Sequence, residues 1–193
     1  LTTLRAGIIV GSGSASFEII RDLVNKLPVM ITPKWLNTKC QPIAINDVLE
    51  FLSKSLLNPL TYNQSFDIGG PDILTYKEML LAFAEAKNLK RYIFTIPVMT
   101  PKLSSYWLYF VTSTSYKLAT ALVSSMKVEV ICSDHRINEL LGVQPIPYKE
   151  ALSRALSKVG EDKVASSWKD SLISGRFSQS ISNHLKVPKK GCY

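Results

Sequence analysis

The chain has 193 residues, of which 46% are hydrophobic and 20% charged, and its net charge is +8 at pH 7. These values allow one globular domain with its own core. The positive charge is spread thinly, without a basic helix face or an interleaving of aromatic and basic residues, so it indicates a solvated surface and disfavours a nucleic-acid interface.

The cysteines and the least charged window indicate the cellular location to expect for the chain. Cys40, Cys132 and Cys192 are odd in number and lack metal-ligand spacing, so we expect free thiols, no metal site and a reducing, cytoplasmic location. The window 103–123 has one charge, Lys117, but many Ser and Thr residues. It favours a pair of buried helices over a membrane span.

The first elements are a strand, a glycine-containing loop and a helix, which is half of a nucleotide-binding βαβ unit. Residues 4–10 are nearly all apolar, as in a strand covered on both faces. Gly11 and Gly13 mark the turn. We expect Ser16 to cap the helix and Glu18 to lie in its first turn, near the positive end of the helix dipole.

The next segments repeat this alternation. Pro28 ends the first helix, and residues 29–31 predict a short strand. Residues 41–45 predict another strand. Asn46 then caps a helix that ends near Asn58 and carries its apolar residues toward the core, namely Val48, Leu49, Leu52 and Leu56.

A third unit follows. Residues 65–68 predict a strand, and Gly69-Gly70 a turn that needs positive φ or a close backbone approach. Thr75 and Glu78 have the spacing of a capping box, so we expect a helix from there to about residue 88.

The second half of the chain is mainly helical. After a last long strand at 91–98, a short strand is predicted at 128–132, and helices at 101–111, 115–126, 134–141 and 147–160. Strands that alternate with helices predict an α/β fold with a parallel sheet, and the later helices a small cap beside it. We therefore expect a domain at 1–160. Residues 161–193 are polar and Ser-rich, typical of a tail or of the start of a following domain.

Three stretches together resemble the atypical and extended short-chain dehydrogenase/reductase superfamily, near its nucleoside-diphosphate-sugar epimerase (NAD-dependent epimerase/dehydratase) and NmrA-like members. They are LRAGIIVGSGS at 4–14, QPIAINDVLEFL at 41–52 and FDIGGPDILTYKEML at 66–80. The resemblance implies the C-terminal part of a Rossmann-like, doubly wound parallel sheet with a small helical substrate-side cap. It also implies an intact protein that binds NAD or NADP together with a small-molecule substrate.

Two motifs that this superfamily uses are missing from the 193 residues. One is the Gly-x-x-Gly-x-x-Gly loop, in which helix N-terminal amides bind the cofactor pyrophosphate. The other is Tyr-x-x-x-Lys, in which the ammonium lowers the phenol pKa; no tyrosine here has Lys four residues on. We therefore expect no catalytic residue in this chain, and doubtful cofactor binding by the chain alone.

The resemblance places other contacts in the first unit. The residues that pass the nicotinamide correspond to Gly7, Ile8 and Ile9, acting through backbone and apolar contact, although a plain buried strand explains them equally well. On the substrate side the matching positions are those of the following loop and helix start, Ser12, Ser14, Ser16 and Phe17. Turn and capping roles explain these last residues at least as well.

Gln41 departs from the sugar-nucleotide epimerases, which commonly have Arg at the matching place to clamp a pyrophosphate. A neutral Gln cannot form those charged bonds, which argues against a nucleoside-diphosphate-sugar substrate. Asp47 is expected to start a helix rather than to act as an acid. Trp35, Tyr106 and Trp107 fit either a pocket lining or an aromatic core.

Three functions remain open. The first is a portion of an NAD(P)-dependent oxidoreductase or epimerase, inactive alone. The second is a non-catalytic, NmrA-like dinucleotide-binding regulator. The third, which the charge pattern disfavours, is a basic nucleic-acid-binding domain. A missing front half would leave an open sheet edge and uncovered apolar helix faces, so we also expect self-association through that edge.

Overall fold

The computed structural model describes residues 1–96 and 124–160. The helices are α1 Ala15–Lys26, α2 Ile45–Ser55, α3 Tyr76–Ala86, α4 Arg136–Leu141 and α5 Tyr148–Gly160. The strands are β1 Thr3–Ala6, β2 Ile9–Val10, β3 Val29–Pro33, β4 Lys39–Cys40, β5 Ile43–Ala44, β6 Ser65–Ile68, β7 Leu74–Thr75 and β8 Tyr92–Ile96. Short 3-10 helices span Lys34–Asn37 and Pro59–Thr61.

The strands pair mainly in parallel. β1 pairs with β6, β2 with β5, and β3 with β8, each in parallel, whereas β4 and β7 are antiparallel. Each parallel pair joins strands far apart in sequence, with helices between them, as crossover connections require. The predicted α/β class with parallel strands is therefore confirmed.

The first predicted strand is interrupted. Residues 4–10 were expected to form one strand covered on both faces, but β1 ends at Ala6 and β2 begins at Ile9, and the partner changes from β6 to β5. Gly7 lies at the break, where a Cβ would come within 2.8 Å of Val130 Cγ1. β1 is also less covered than predicted, because Thr3 and Arg5 are exposed.

The N-caps predicted for α1 and for α2 were both wrong. Ser14, not Ser16, is the N-cap of α1, and its hydroxyl accepts a hydrogen bond from Phe17 N. α2 begins at Ile45, one residue before Asn46. Its N-cap is Ala44, so no side chain caps this helix. The expected positions of Glu18 in the first turn of α1 and of Asp47 in the first turn of α2 are correct.

α2 also turns a different face to the core than predicted. Val48 and Phe51 are buried, whereas Leu49, Leu52 and Leu56 are exposed. The apolar residues of this helix form an arc wider than the roughly 100° that a surface helix needs to hold it on its core, so periodicity alone did not show which part of the arc is buried.

The third unit, from β6 to α3, has the structure that the sequence predicts. β6 has the predicted bounds, and Thr75 and Glu78 form both bonds of the capping box. Gly70 serves a close approach, since a Cβ there would lie 2.3 Å from Pro42 O. Gly142 ends α4 with φ +59°, the left-handed conformation that glycine adopts without strain.

The core has two parts. The first lies between α1, α3 and α5, where the rings of Phe17 and Phe83 meet with centroids 5.7 Å apart. The second lies between α2, β6 and α4 around Phe51, Phe66 and Ile137. Apolar residues of β1 and β2 pack against the second part, and Ile8 and Val10 belong to the first, so the interrupted strand joins the two.

Several predictions concern residues that the structure does not describe. The helices at 101–111 and 115–126, the cap they would form, Tyr106, Trp107 and the tail at 161–193 lie outside the described residues, except that 124–125 are helical. The predicted strand at 128–132 is reduced to a single parallel bridge from Val130 to Cys40. Within residues 1–96 and 124–160, no helix has the length and apolar character needed to cross a membrane.

Candidate functional site

The loop between β2 and α1 is held tightly. Gly11 packs against α2, because a Cβ there would lie 2.6 Å from Ile45 Cγ2, and Gly13 turns the chain with φ +87°. Ser14 then receives a hydrogen bond from Phe17 N and donates one to Ile9 O at 3.0 Å. The Ser14 hydroxyl is therefore committed to the loop and the helix start.

Ser12 borders a crevice at the carboxyl ends of the parallel strands β2 and β5, where ligands bind in open α/β sheets. The empty space, including its open mouth, is about 270 Å³. Polar groups come from Ser12, Asn46 and Arg154, and the remaining lining residues are small or apolar, namely Val10, Gly11, Ala44, Ile45, Ala151 and Ala155. The Arg154 guanidinium is bonded to Glu150 at 2.6 Å, so its charge is already partly compensated.

Ile8 and Ser16 come together at a second, apolar crevice beside the inner face of α1, whose empty space, including its open mouth, is about 390 Å³. Trp35 and Tyr76 form part of its wall, with ring centroids 6.3 Å apart and nearly perpendicular planes. The remaining lining is aliphatic, from Ile19, Ile20, Leu23, Leu36, Leu80 and Met126. The lining of this crevice is almost entirely apolar and offers few hydrogen bonds.

The other sequence-predicted residues lie apart from both spaces. Phe17 is a core residue against Phe83, Gly7 is exposed beside Val130, and Ile9 packs against the second core cluster. A substrate role for Phe17 and a nicotinamide contact by Gly7 or Ile9 stay predictions.

Gln41 has a structural role that sequence reasoning missed. Its side chain is 3% exposed; Nε2 donates to Gly70 O at 2.6 Å, and Oε1 accepts from Cys132 N at 3.0 Å. One amide thus connects three segments of the chain. No sequence signal indicated this role, because Gly70 and Cys132 are distant from Gln41 in the chain and only the fold brings them together.

Two carboxylates, the buried Asp47 and the half-buried Asp67, join the second half of the chain to the first. Asp47 accepts from Ile146 N, and burial raises the pKa of its carboxyl. Asp67 accepts from the amide and hydroxyl of Ser133 and pairs with Arg5 at 2.8 Å, and these bonds lower its pKa. Both carboxylates thus bond to other parts of the chain, and Asp47 lies in the first turn of α2.

Two cysteines and two tyrosines of the described residues have pKa values shifted away from activation. Burial raises the pKa of Cys40 to about 12, of Cys132 to about 11 and of Tyr76 to about 12, and it raises that of Tyr148 as well. A proton-transfer tyrosine or a reactive thiol needs the opposite shift. Among the described residues, no group of His, Cys, Asp and Glu is arranged to hold a metal ion.

A search of family models and of curated proteins finds no match to the sequence. Solved structures do match. The chain resembles the triphenylmethane reductase of Citrobacter sp. with a TM-score of 0.57 at 16% identity, covering 76% of this chain and 51% of that one. It resembles UDP-glucose 4-epimerase from Thermotoga maritima, solved with UDP-glucose, with a TM-score of 0.56 at 12% identity, covering 82% and 45%.

A third match is dTDP-4-dehydrorhamnose reductase from Bacillus anthracis in complex with NADP, with a TM-score of 0.53 at 12% identity, covering 80% of this chain and 47% of that one. The chain thus spans about half the length of the structures that it matches. At such identities the likeness shows the fold alone. The chain has the Rossmann-like α/β fold that these reductases and this epimerase share.

Proposed function

We propose that the chain is the substrate-side portion of an NAD(P)-dependent oxidoreductase or epimerase of the short-chain dehydrogenase type. The observation that carries this is the β2–loop–α1 unit, in which Ile8 and Ser16 line one apolar pocket within a fold shared with reductases and an epimerase. In the complete enzyme the nicotinamide would exchange a hydride with a carbon that bears oxygen.

The residues present fit the nicotinamide side of such a cofactor better than its phosphates. Ile8 offers an apolar wall, but the start of α1 is occupied by the Ser14 cap and carries Glu18 in its first turn. A pyrophosphate would meet a negative charge there. The phosphate contacts are therefore assigned to a Gly-rich loop outside this sequence, and the chain alone is proposed to be inactive.

The substrate is proposed to be a small molecule with an apolar part rather than a sugar nucleotide. Gln41 is neutral, buried and bonded at both ends of its amide, so it is not a pyrophosphate clamp. The apolar crevice beside Trp35 and Tyr76 instead favours an apolar group at the substrate side. The free thiols Cys40 and Cys132 are consistent with a cytoplasmic location.

A non-catalytic, NmrA-like regulator that binds the dinucleotide is the second candidate. The raised pKa values of Tyr76 and Tyr148 and the missing Tyr-x-x-x-Lys motif favour it over catalysis by this chain. The two candidates share the fold, so they are separated by turnover rather than by binding.

The test measures NADPH and NADH fluorescence on titration with the 193-residue chain, together with turnover of a panel of aldehydes, ketones and quinones. We expect no turnover by the chain alone. The same assays on a polypeptide that also supplies a Gly-rich βαβ unit separate the candidates: binding with turnover supports the enzyme, and binding without turnover the regulator. Turnover by the 193 residues alone contradicts the proposal.

A further inference from the structure

Trp35 carries a buried polar atom without a partner. The side chain is 9% exposed, in the short 3-10 helix Lys34–Asn37, and the ring of Tyr76 packs against it edge to face. Its Nε1 atom is buried, and no residue in 1–96 or 124–160 accepts a hydrogen bond from it. A buried tryptophan N–H usually has an acceptor, because folding removes its hydrogen bond to water. This donor therefore needs an explanation.

Trp35 lies on the wall of the apolar crevice beside α1. Among the described lining residues, Ser16 and Tyr76 carry hydroxyls, and the others are aliphatic except for Met126. Burial raises the pKa of the Tyr76 hydroxyl to about 12, so this hydroxyl stays protonated at neutral pH. An apolar wall with a few polar groups is the composition of a small-molecule site, in which apolar contact supplies affinity and the polar groups fix the orientation.

The crevice limits the size of a ligand. Its empty space of about 390 Å³ includes the open mouth, so the enclosed part is smaller. A cavity of about 150 Å³ with a lining of aliphatic and aromatic side chains is enough to bind benzene. Met126 has an unbranched side chain that can adjust to an occupant. The crevice therefore has room for about one ring, and a sugar nucleotide is too large for it.

An organic ligand explains the unpaired donor better than a water molecule does. A bound water accepts a hydrogen bond from Trp35, but it needs about three hydrogen bonds in total and leaves the aliphatic walls in contact with a polar molecule. A ligand with one acceptor oxygen and an apolar body accepts the same bond and also removes these walls from water. A carbonyl suits this position better than a hydroxyl or an amine, because it only accepts and brings no further donor to be satisfied.

We propose that the crevice binds a small monocyclic ketone, whose carbonyl oxygen accepts a hydrogen bond from the indole N–H of Trp35 and whose ring lies against the aliphatic wall. The role of this ketone as the substrate rests on the proposed function, in which a carbon that bears oxygen exchanges a hydride with the nicotinamide. The binding itself uses residues of this chain and does not require the cofactor.

The test titrates the full chain, without cofactor, with cyclohexanone and with methylenecyclohexane. The two probes have nearly the same shape, but the second carries a CH₂ group in place of the carbonyl oxygen and accepts no conventional hydrogen bond. Heteronuclear NMR follows the indole N–H signals of the three tryptophans, and Trp35→Phe identifies the signal of Trp35. We expect this signal to move to lower field with cyclohexanone, as a new hydrogen bond requires, and not with methylenecyclohexane.

Substitutions separate the hydrogen bond from the apolar contact. Trp35→Phe keeps an aromatic ring but removes the donor, so the ratio of the two dissociation constants, ketone over hydrocarbon, should rise about three- to tenfold. Tyr76→Phe removes a hydroxyl from the same wall, and Trp168→Phe removes a tryptophan from the polar tail. Each of these two controls should leave the ratio within about twofold of the wild-type value. Circular dichroism checks that the variants are folded.

The NMR titration of the unaltered chain decides the question even where Trp35→Phe fails to fold. Equal shifts of the Trp35 signal with both probes, or no saturable shift with either, contradict the proposal. So does a ratio that Tyr76→Phe raises and Trp35→Phe leaves unchanged. These outcomes are distinct from a failure of the proposed function. Ketone binding without turnover by the longer polypeptide keeps the site and removes the enzyme, whereas ketone turnover without a shift at Trp35 keeps the enzyme and removes the site.

Discussion

At the residue scale, the site region is held together by buried polar side chains that bond to backbone. Gln41 is the clearest case, because one side chain connects its own segment with Gly70 and Cys132. A charged residue at this position would have to be desolvated, whereas the neutral amide meets one donor and one acceptor at no such cost.

Replacing Gln41 should therefore cost stability. Gln41→Ala leaves Gly70 O and Cys132 N without this partner, and we expect the free energy of unfolding to fall by about 2–4 kcal/mol in urea denaturation. Gln64→Ala is the control, because Gln64 also bonds a carbonyl, Leu60 O, but at the surface. It should change stability by less than about 1 kcal/mol. Equal effects of the two substitutions would contradict the structural role.

Asp67 should make stability depend on pH. Its carboxylate is bonded by Ser133 and Arg5, so its folded pKa lies below the ordinary value of 3.8. A lowered folded pKa stabilises the native state above pH 3.8, and this contribution is lost as the pH falls through the folded pKa. Asp67→Asn should cost about 1 kcal/mol at pH 7 and progressively less below pH 4.

Urea denaturation of both proteins at pH 7, 5, 4 and 3 checks this expectation for Asp67. Asp72→Asn is a suitable comparison, since Asp72 also accepts a backbone hydrogen bond, from Tyr148 N. If the difference in the free energy of unfolding between wild type and Asp67→Asn widened toward low pH, the expected role of Asp67 would be contradicted.

At the element scale, some local signals gave the right position, whereas the N-caps expected at Ser16 and Asn46 were each two residues too late. The capping box of α3, the end of α1 before Pro28 and the left-handed Gly142 follow from single side chains or backbone preferences. The face that α2 buries did not follow from its sequence, because apolar residues occupy two adjacent arcs and only the rest of the molecule decides between them. The break at Gly7 likewise depends on Val130, a residue distant in sequence.

The cap of α1 gives a test of one corrected element. Ser14→Ala removes the acceptor for Phe17 N and the donor to Ile9 O, so we expect a loss of about 1–2 kcal/mol in stability. Ser16→Ala, the substitution at the cap position predicted from sequence, should cost less than about 0.5 kcal/mol. A larger loss at Ser16 than at Ser14 would restore the original assignment.

At the scale of the whole molecule, α5 closes the fold over elements from the first half of the chain. Tyr148 N donates to Asp72, and the Tyr148 hydroxyl donates to Met79 O at 3.2 Å. Ala151, Leu152 and Ala155 belong to the same core cluster as Phe17 and Phe83. The fold-class prediction succeeded at this scale because alternation of strands and helices is a global pattern. The long-range hydrogen bonds could not be predicted, because they depend on which loops meet.

This closure yields a prediction about domain bounds. The sequence predicts a domain at 1–160 followed by a polar tail, so the fragment 1–160 should unfold cooperatively with a midpoint within about 3 °C of the full chain. Fragment 1–146 lacks α5 and exposes the core beneath it. Losing the burial of Tyr148, Leu152 and two alanines costs about 5 kcal/mol, comparable with the whole stability of a small domain. We therefore expect 1–146 to lose its cooperative transition in calorimetry. A cooperative transition in 1–146, or its loss in 1–160, would move the domain boundary away from residue 160 and remove α5 from the essential core.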